Sequence, residues 1–266
     1  MGQPEALFQG KVFLSCTREK NYTRELVLDQ PALSYIFAGT FTITTGNDTH
    51  IYHPGDLVII PRNQLLRVAK IPAPNEAYRS VAIFFPADTL RKFYASHPVS
   101  SLPSQPPKFM AIKRHPLLKS LFTSFLPYFE LQDELPAGLA EIKIQETLTV
   151  LNNVNPQVQQ LLGSFQEPDK VDLFSYMEQN FMYNLPLEKF AYLTGRSLTT
   201  FKKDFKTVFN DTPGRWLTTK RLELAHYQLT IQKRKPSDIY LDAGFENFSH
   251  FSFAFKKKFG YSPANL

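Results

Sequence analysis

Residues 235–263 read KPSDIYLDAGFENFSHFSFAFKKKFGYSP, and much of that stretch repeats one earlier in the chain. Phe201, Phe205, Lys206, Phe209 and Pro213 recur fifty positions on as Phe251, Phe255, Lys256, Phe259 and Pro263. Self-similarity at a fixed spacing marks one supersecondary unit used more than once. Two copies are too few for a solenoid, so the stretch is a duplicated module. The phenylalanines at i, i+4 and i+8 form one stripe on a helix, with lysines and small polar residues opposite. A shorter helical run ending in glycine precedes each stripe: residues 187–194 before Gly195, and residues 237–243 before Gly244. A short helix, a glycine turn and a basic second helix make the helix-turn-helix pattern.

These residues carry a family resemblance. The run from Lys235 to Pro263 resembles the C-terminal signature of AraC/XylS transcription regulators: an apolar residue, Ala and a Gly-Phe turn, then Ser-x-Phe-x-x-x-Phe-Lys, then Gly-x-Ser-Pro. Residues 212–229, TPGRWLTTKRLELAHYQL, resemble the linker helix of that family with its Arg-Leu-x-x-Ala core. The resemblance covers about residues 172–266 and implies a DNA-binding domain. Three positions depart from the pattern. Tyr240 replaces a small residue on the first helix of the second motif, Phe253 stands where an arginine commonly reaches DNA, and Asn210 replaces the glycine supplied by Gly260 in the second copy.

Charge placement agrees. The chain has 266 residues and a net charge of +6, and residues 171–266 hold 14 Lys+Arg against 9 Asp+Glu. The basic surplus therefore sits in the repeated region, as expected of a domain that meets a polyanion. The single cysteine, Cys16, excludes an intramolecular disulfide and a multi-cysteine zinc site. No long apolar run and no charged-then-apolar leader appear, which points to a cytoplasmic location. EALFQG at residues 5–10 is given no role.

Residues 8–95 are rich in short β-branched and aromatic runs broken by Gly39, by Gly46-Asn47-Asp48 and by His53-Pro54-Gly55-Asp56. Many short strands at such spacing predict a barrel or sandwich. The segment GTFTITTGNDTHIYHPGDLVIIPRN (39–63) is similar to the cupin-type jelly roll that often precedes this DNA-binding domain. Metal-dependent cupins converge histidines and a carboxylate on one ion. Here His50 and His53 are three apart, so on a regular strand they would point to opposite faces, and no further ligand follows Pro61. No Ser-His-Asp, P-loop or dinucleotide fingerprint is present. No metal, cofactor or catalytic residue is expected. The interior could instead be filled or hold a ligand, with Tyr35, Phe37, Tyr52, Arg67, Tyr78 and Arg79 as candidate lining residues and the arginines suited to an anion.

A polar, proline-rich loop between His97 and Pro107 leads into helical pattern over 108–165. Residues 116–129 and 136–152 each carry an apolar stripe, the second through Ala137, Ala140, Ile144, Leu148 and Leu151. Such a stripe packs on the barrel or on a second copy of itself; relatives of this architecture commonly dimerise through such a helix, so Ala140, Ile144, Leu148 and Leu151 are the candidate homodimer contact. Residues 164–170 read as a linker.

The fold class expected is α+β. A cupin-like barrel or jelly roll spans 8–95, a helical dimerisation segment 108–165, and an all-α domain of two helix-turn-helix motifs joined by a linker helix 172–266. That linker, capped by Thr212 with Pro213 at its first position, would span roughly 25 Å, enough to hold two motifs toward successive major grooves about 34 Å apart. In the first motif Ser197 caps the recognition helix. Leu198, Thr199, Thr200, Lys202, Lys203 and Lys206 face outward, with Thr199, Thr200 and Lys203 aimed at bases and Lys206 at phosphate. In the second, Asn247 is the cap, and Phe248, Ser249, His250, Ser252 and Phe253 border the groove, with Lys256, Lys257 and Lys258 adding phosphate contacts. Phe253 either meets thymine methyls or is tucked into the core. The expected function is a sequence-specific, double-stranded-DNA-binding transcription regulator controlled by a small molecule in its N-terminal domain. The alternatives are control by a protein partner without a ligand, or a cupin enzyme fused to a DNA-binding domain.

Overall fold

The computed structural model describes residues 6–8, 11–18, 22–45, 48–97, 109–130, 138–163, 165 and 167–266. The 46–47 turn, most of the 97–107 loop, Ala137, linker positions 164 and 166, and all but residues 6–8 of the 5–10 stretch lie outside the described residues. Among the described residues ten strands lie in the N-terminal half: β1 (Ala6–Phe8), β2 (Val12–Thr17), β3 (Tyr22–Val27), β4 (Ala32–Ala38), β5 (Thr40–Thr45), β6 (Asp48–Tyr52), β7 (Leu57–Ile60), β8 (Leu65–Ile71), β9 (Tyr78–Phe84) and β10 (Met110–Ile112). They pair antiparallel into a six-stranded sheet, β1-β2-β9-β4-β7-β10, and a four-stranded sheet, β3-β8-β5-β6.

The larger sheet is buried on both faces, which is why β7 is the unbroken apolar run Leu57-Val58-Ile59-Ile60. Val58 and Ile60 point between the sheets and pack with Ile36, Phe41, Ile43, Tyr52, Leu66, Val68 and Tyr78. Leu57 and Ile59 point the other way, into a core shared with helices. Those helices are α1 (Ala87–Ser96), α2 (Pro116–Thr123), a 3-10 turn (Leu126–Phe129), α3 (Leu139–Val154) and α4 (Gln157–Leu162). Sequence pattern missed α1, whose Leu90, Phe93 and Tyr94 sit at i, i+3 and i+4 just after Pro86. Residues 116–129 are not one helix. Ser124 ends α2 by donating its N–H to Ser120 O, and a separate turn begins around Pro127.

The expected dimer stripe is corrected here. Ala140, Ile144, Leu148 and Leu151 are at most 1% exposed and pack against Leu118, Leu121, Phe122, Phe125 and the sheet of the same chain. The stripe is the inner face of α3, and a second copy could reach it only by opening the core. The helical segment is therefore part of the first of two compact units, Met1–Gln166 and Glu167–Leu266. Among the described residues no helix is long and apolar enough to cross a membrane.

The second unit is all helical: α5 (Leu173–Asn180), α6 (Leu187–Leu193), α7 (Leu198–Phe209), α8 (Pro213–Thr230), α9 (Pro236–Ile239), α10 (Phe248–Phe259) and a terminal 3-10 turn (Pro263–Asn265). It holds two cores. Leu173, Met177, Phe190, Phe201 and Phe205 form the first, and Ile239, Ala243, Phe245, Phe251 and Phe255 the second. One helix serves both: α8 puts Trp216 and Leu217 into the first core and Leu222, Ala225 and Leu229 into the second.

Candidate nucleic-acid interface

Each motif is a short helix, a glycine turn and a twelve-residue helix, α6–α7 and then α9–α10. Gly195 and Gly244 have φ +66° and +83°, and a Cβ at either would lie 2.5 Å from a backbone atom, the carbonyl carbon of Asp169 or the oxygen of Met182. Only glycine fits both the left-handed backbone and the close approach. The second helices start on side-chain caps: Ser197 Oγ accepts the N–H of Thr200 at 3.2 Å, and Asn247 Oδ1 accepts that of His250 at 2.8 Å. They end alike too, since Asn210 (φ +52°) and Gly260 (φ +85°) both adopt the left-handed cap. Asparagine tolerates that region best among residues with a Cβ, so the departure at Asn210 leaves the motif intact.

Phe201 and Phe205 in α7, and Phe251 and Phe255 in α10, are fully buried. Their burial fixes what faces out. On α7 the outward residues are Thr199, Thr200, Lys202, Lys203 and Lys206, with Thr199, Lys203 and Lys206 at i, i+4 and i+7 on one line. Leu198 is half-buried against the first core, and Ser197 is engaged as the cap. Lys206 also reaches back to the Asn210 carbonyl at 3.1 Å. On α10 the corresponding line is Ser249, Phe253 and Lys256, flanked by His250 and Lys257, all exposed. Phe253 is 70% exposed, so the core alternative for it is excluded. Ser252 is half-buried, and Phe248 is 40% exposed with its ring edge-on to Tyr240. That contact is what the large residue at 240 does: it leans on the start of α10.

Lys258 is a correction. Its ammonium donates to the carboxylate of Glu223 at 2.9 Å and to Thr219 O at 3.1 Å, both on α8, so it fastens α10 to the rod. Arg221 on α8 similarly donates to the carbonyls of Phe181 at 2.9 Å and Tyr183 at 2.6 Å. These clamps hold the two motifs on one helix of 18 residues, about 27 Å long. In the first motif Arg196 donates to Asp204 at 3.0 Å, and Lys170 lies 3.3 Å from the same carboxylate. The Arg196 hydrogen bond, reinforced by Lys170, holds the Asp204 carboxyl below the usual carboxylate range. Asp204 therefore stays ionised, with its charge paired to Arg196 and Lys170.

The N-terminal unit holds a cavity of about 360 Å³ between its sheets. Only Tyr78 of the six candidate pocket residues lines it. Tyr35 and Phe37 lie on the helix-covered face instead, Tyr35 stacked on Phe122 at 4.8 Å and Phe37 edge-on to Phe129. Tyr52 is packed in the core between the sheets. Arg67 points off the outer face of β8 onto Glu25 at 2.7 Å, and Arg79 pairs with Glu76. The cavity's cations are others. Lys70 follows Leu66 and Val68 on the inward face of β8, 7% exposed, donating to Ser15 Oγ at 2.8 Å; Arg24 lies at the more exposed end of the lining. His50 packs on Phe109, and the N–H of His53 donates to the Asp56 carboxylate. Among the described residues no three His, Cys, Asp or Glu side chains are grouped to hold a metal ion.

Comparison with known proteins gives the kinship. A model of the ExsA N-terminal regulatory domain matches residues 31–163, half of the chain, and a helix-turn-helix domain model matches residues 190–266. The thermoregulatory protein LcrF of Yersinia pestis is 29% identical over 163 residues, 60% of this chain and 60% of that protein. The HTH-type transcriptional regulator ExsA of Pseudomonas aeruginosa is 26% identical over 235 residues, 86% of this chain and 83% of its own. A solved structure of ToxT from Vibrio cholerae is 11% identical, covers 96% of this chain and 97% of its own, and superposes with a TM-score of 0.43. The match thus spans about 60% of the length of LcrF and most of ExsA. With the N-terminal domain of one such regulator matched over half its length, and a duplicated helix-turn-helix behind it, the chain belongs to the AraC family of transcription regulators.

Proposed function

We propose that the protein regulates transcription by binding a specific DNA duplex with α7 and α10 in successive major grooves. The observation that carries this is the pair of matching outward faces, Thr199–Lys203–Lys206 and Ser249–Phe253–Lys256, clamped to one rod. On the first face Lys203 offers its ammonium to guanine acceptors and Thr199 and Thr200 their hydroxyls and methyls; Lys206 takes phosphate. On the second, Lys256 and Lys257 take phosphate, with Ser249 and His250 near base edges. A hydroxyl-radical footprint of the full chain tests it. Two protected segments one helical turn apart per chain are expected; one segment at every salt concentration would refute the two-motif arrangement. Lys203→Ala is expected to cost about 1–3 kcal/mol and relax one base position, whereas Lys206→Ala weakens all sequences alike.

Control is assigned to a small molecule in the cavity between the sheets. Its size falls in the range of ligand sites, and its lining is apolar residues such as Leu26, Phe41, Ile60 and Val68, with Lys70, Arg24 and Tyr78 as polar groups. Ala82 lines it and is only half-buried, so bulk can be added there without invading the core. Mass spectrometry should find a compound released from the wild-type chain and absent from a folded Ala82→Trp variant. The same compound in both would place the ligand elsewhere. A ligand that acts through this site must change DNA affinity by the factor by which DNA changes its own affinity.

A further inference from the structure

Phe253 stands where duplication would put a second Lys203. It is the most exposed large apolar side chain among the described residues, at 70%, and its ring stacks on no other aromatic there. An isolated exposed apolar residue is ordinary; its placement is not. It occupies the middle of the outward line of α10, between Ser249 and Lys256, with His250 and Lys257 on the flanks. A surface so bordered by ammonium groups fits a polyanion better than an apolar protein patch. Inside a major groove an apolar side chain has one apolar partner on the base edges, the C5-methyl of thymine.

We propose that the two motifs divide the reading. The first, through Lys203, selects guanine, and the second, through Phe253, selects thymine by its methyl group. The operator is then bipartite, with an obligatory G in the half under α7 and thymine in the half under α10. The inference rests on the DNA-binding function proposed above and specifies what the second motif recognises.

Selection of duplexes from a random pool by the full chain supplies the site, and uracil in place of thymine then deletes single methyls. Replacing the contacted thymine under α10 should weaken binding about fourfold, the worth of one buried methyl. Phe253→Ala should bind the thymine and uracil duplexes equally. The substitution is at an exposed position, so the variant should keep the wild-type melting curve. Phe253→Arg should move the preference in that half to guanine. Selective binding with equal affinity for thymine and uracil duplexes would overturn this inference alone, as would discrimination that survives in Phe253→Ala. Failure to select any duplex would overturn the proposed function and this inference together.

Discussion

Replacing Ile144 and Leu148 together by glutamate is expected to unfold the Met1–Gln166 unit. Both side chains are at most 1% exposed and sit in one core with Phe122, Phe125 and the helix-facing residues of the larger sheet. Each change removes about 1.5–3 kcal/mol of apolar burial. It then places a carboxylate in a cluster of hydrophobic side chains, at a further cost of several kcal/mol. A domain with a total stability of about 5–15 kcal/mol does not survive two such losses. Loss of the β-sheet signal and aggregation of the full chain, with the helical Glu167–Leu266 unit still giving its own melting transition, is the expected outcome. A soluble, folded monomer with both transitions intact would mean that α3 buries its stripe against a second copy after all. Leu148→Ala is the milder form and should cost about 2–5 kcal/mol.

The stripe shows where sequence stops. Spacing at i, i+4, i+8 and i+11 says that one face of α3 must be covered, and nothing in it says by what. A second copy and the chain's own sheet satisfy the same pattern, and the deciding residues, Leu33, Leu57 and Val81, lie far away in sequence. The six candidate lining residues lie apart for a related reason. Alternation along β4 puts Tyr35 and Phe37 on one face and Ile36 on the other, but which face is the interior depends on the second sheet and on helices that cover the first. The signal for Lys70 was present: Leu66, Val68 and Lys70 alternate along β8, so the lysine had to share the inward face. In the C-terminal unit the controls are local. Cap, glycine turn and phenylalanine stripe lie within about twenty residues of one another, twice over. Ser197, Asn247, Phe201 and Phe251 could therefore be placed without knowing the rest of the fold. Phe253 needed the structure, because an aromatic in an aromatic-rich helix reads equally as core or surface, and so did Lys258, whose partners Thr219 and Glu223 lie on another helix.

Affinity for the operator is expected to fall steeply with salt, and the lysines can be sorted by how far each contributes to the slope. Every phosphate neutralised releases counterions and adds about 0.9 to the slope of log affinity against log salt. Lys206, Lys256 and Lys257 are exposed on the two outward faces. Replacing all three by alanine should flatten the slope by about 2.7 and shrink the loss of affinity between about 50 and about 200 mM salt by about 40-fold. Lys258 is the control, because it carries the same charge on the same helix. Its ammonium is held by Glu223 and the Thr219 carbonyl on α8, with the side chain 26% exposed. Lys258→Ala should therefore leave the salt slope near its wild-type value and instead lower the melting temperature of the Glu167–Leu266 unit. Fluorescence anisotropy across a salt series, with a thermal melt of each variant, separates the two. A slope unchanged in the triple variant would mean that the lysine faces do not meet the phosphates. A slope lost with Lys258→Ala alone would mean that its bond to α8 opens when DNA binds.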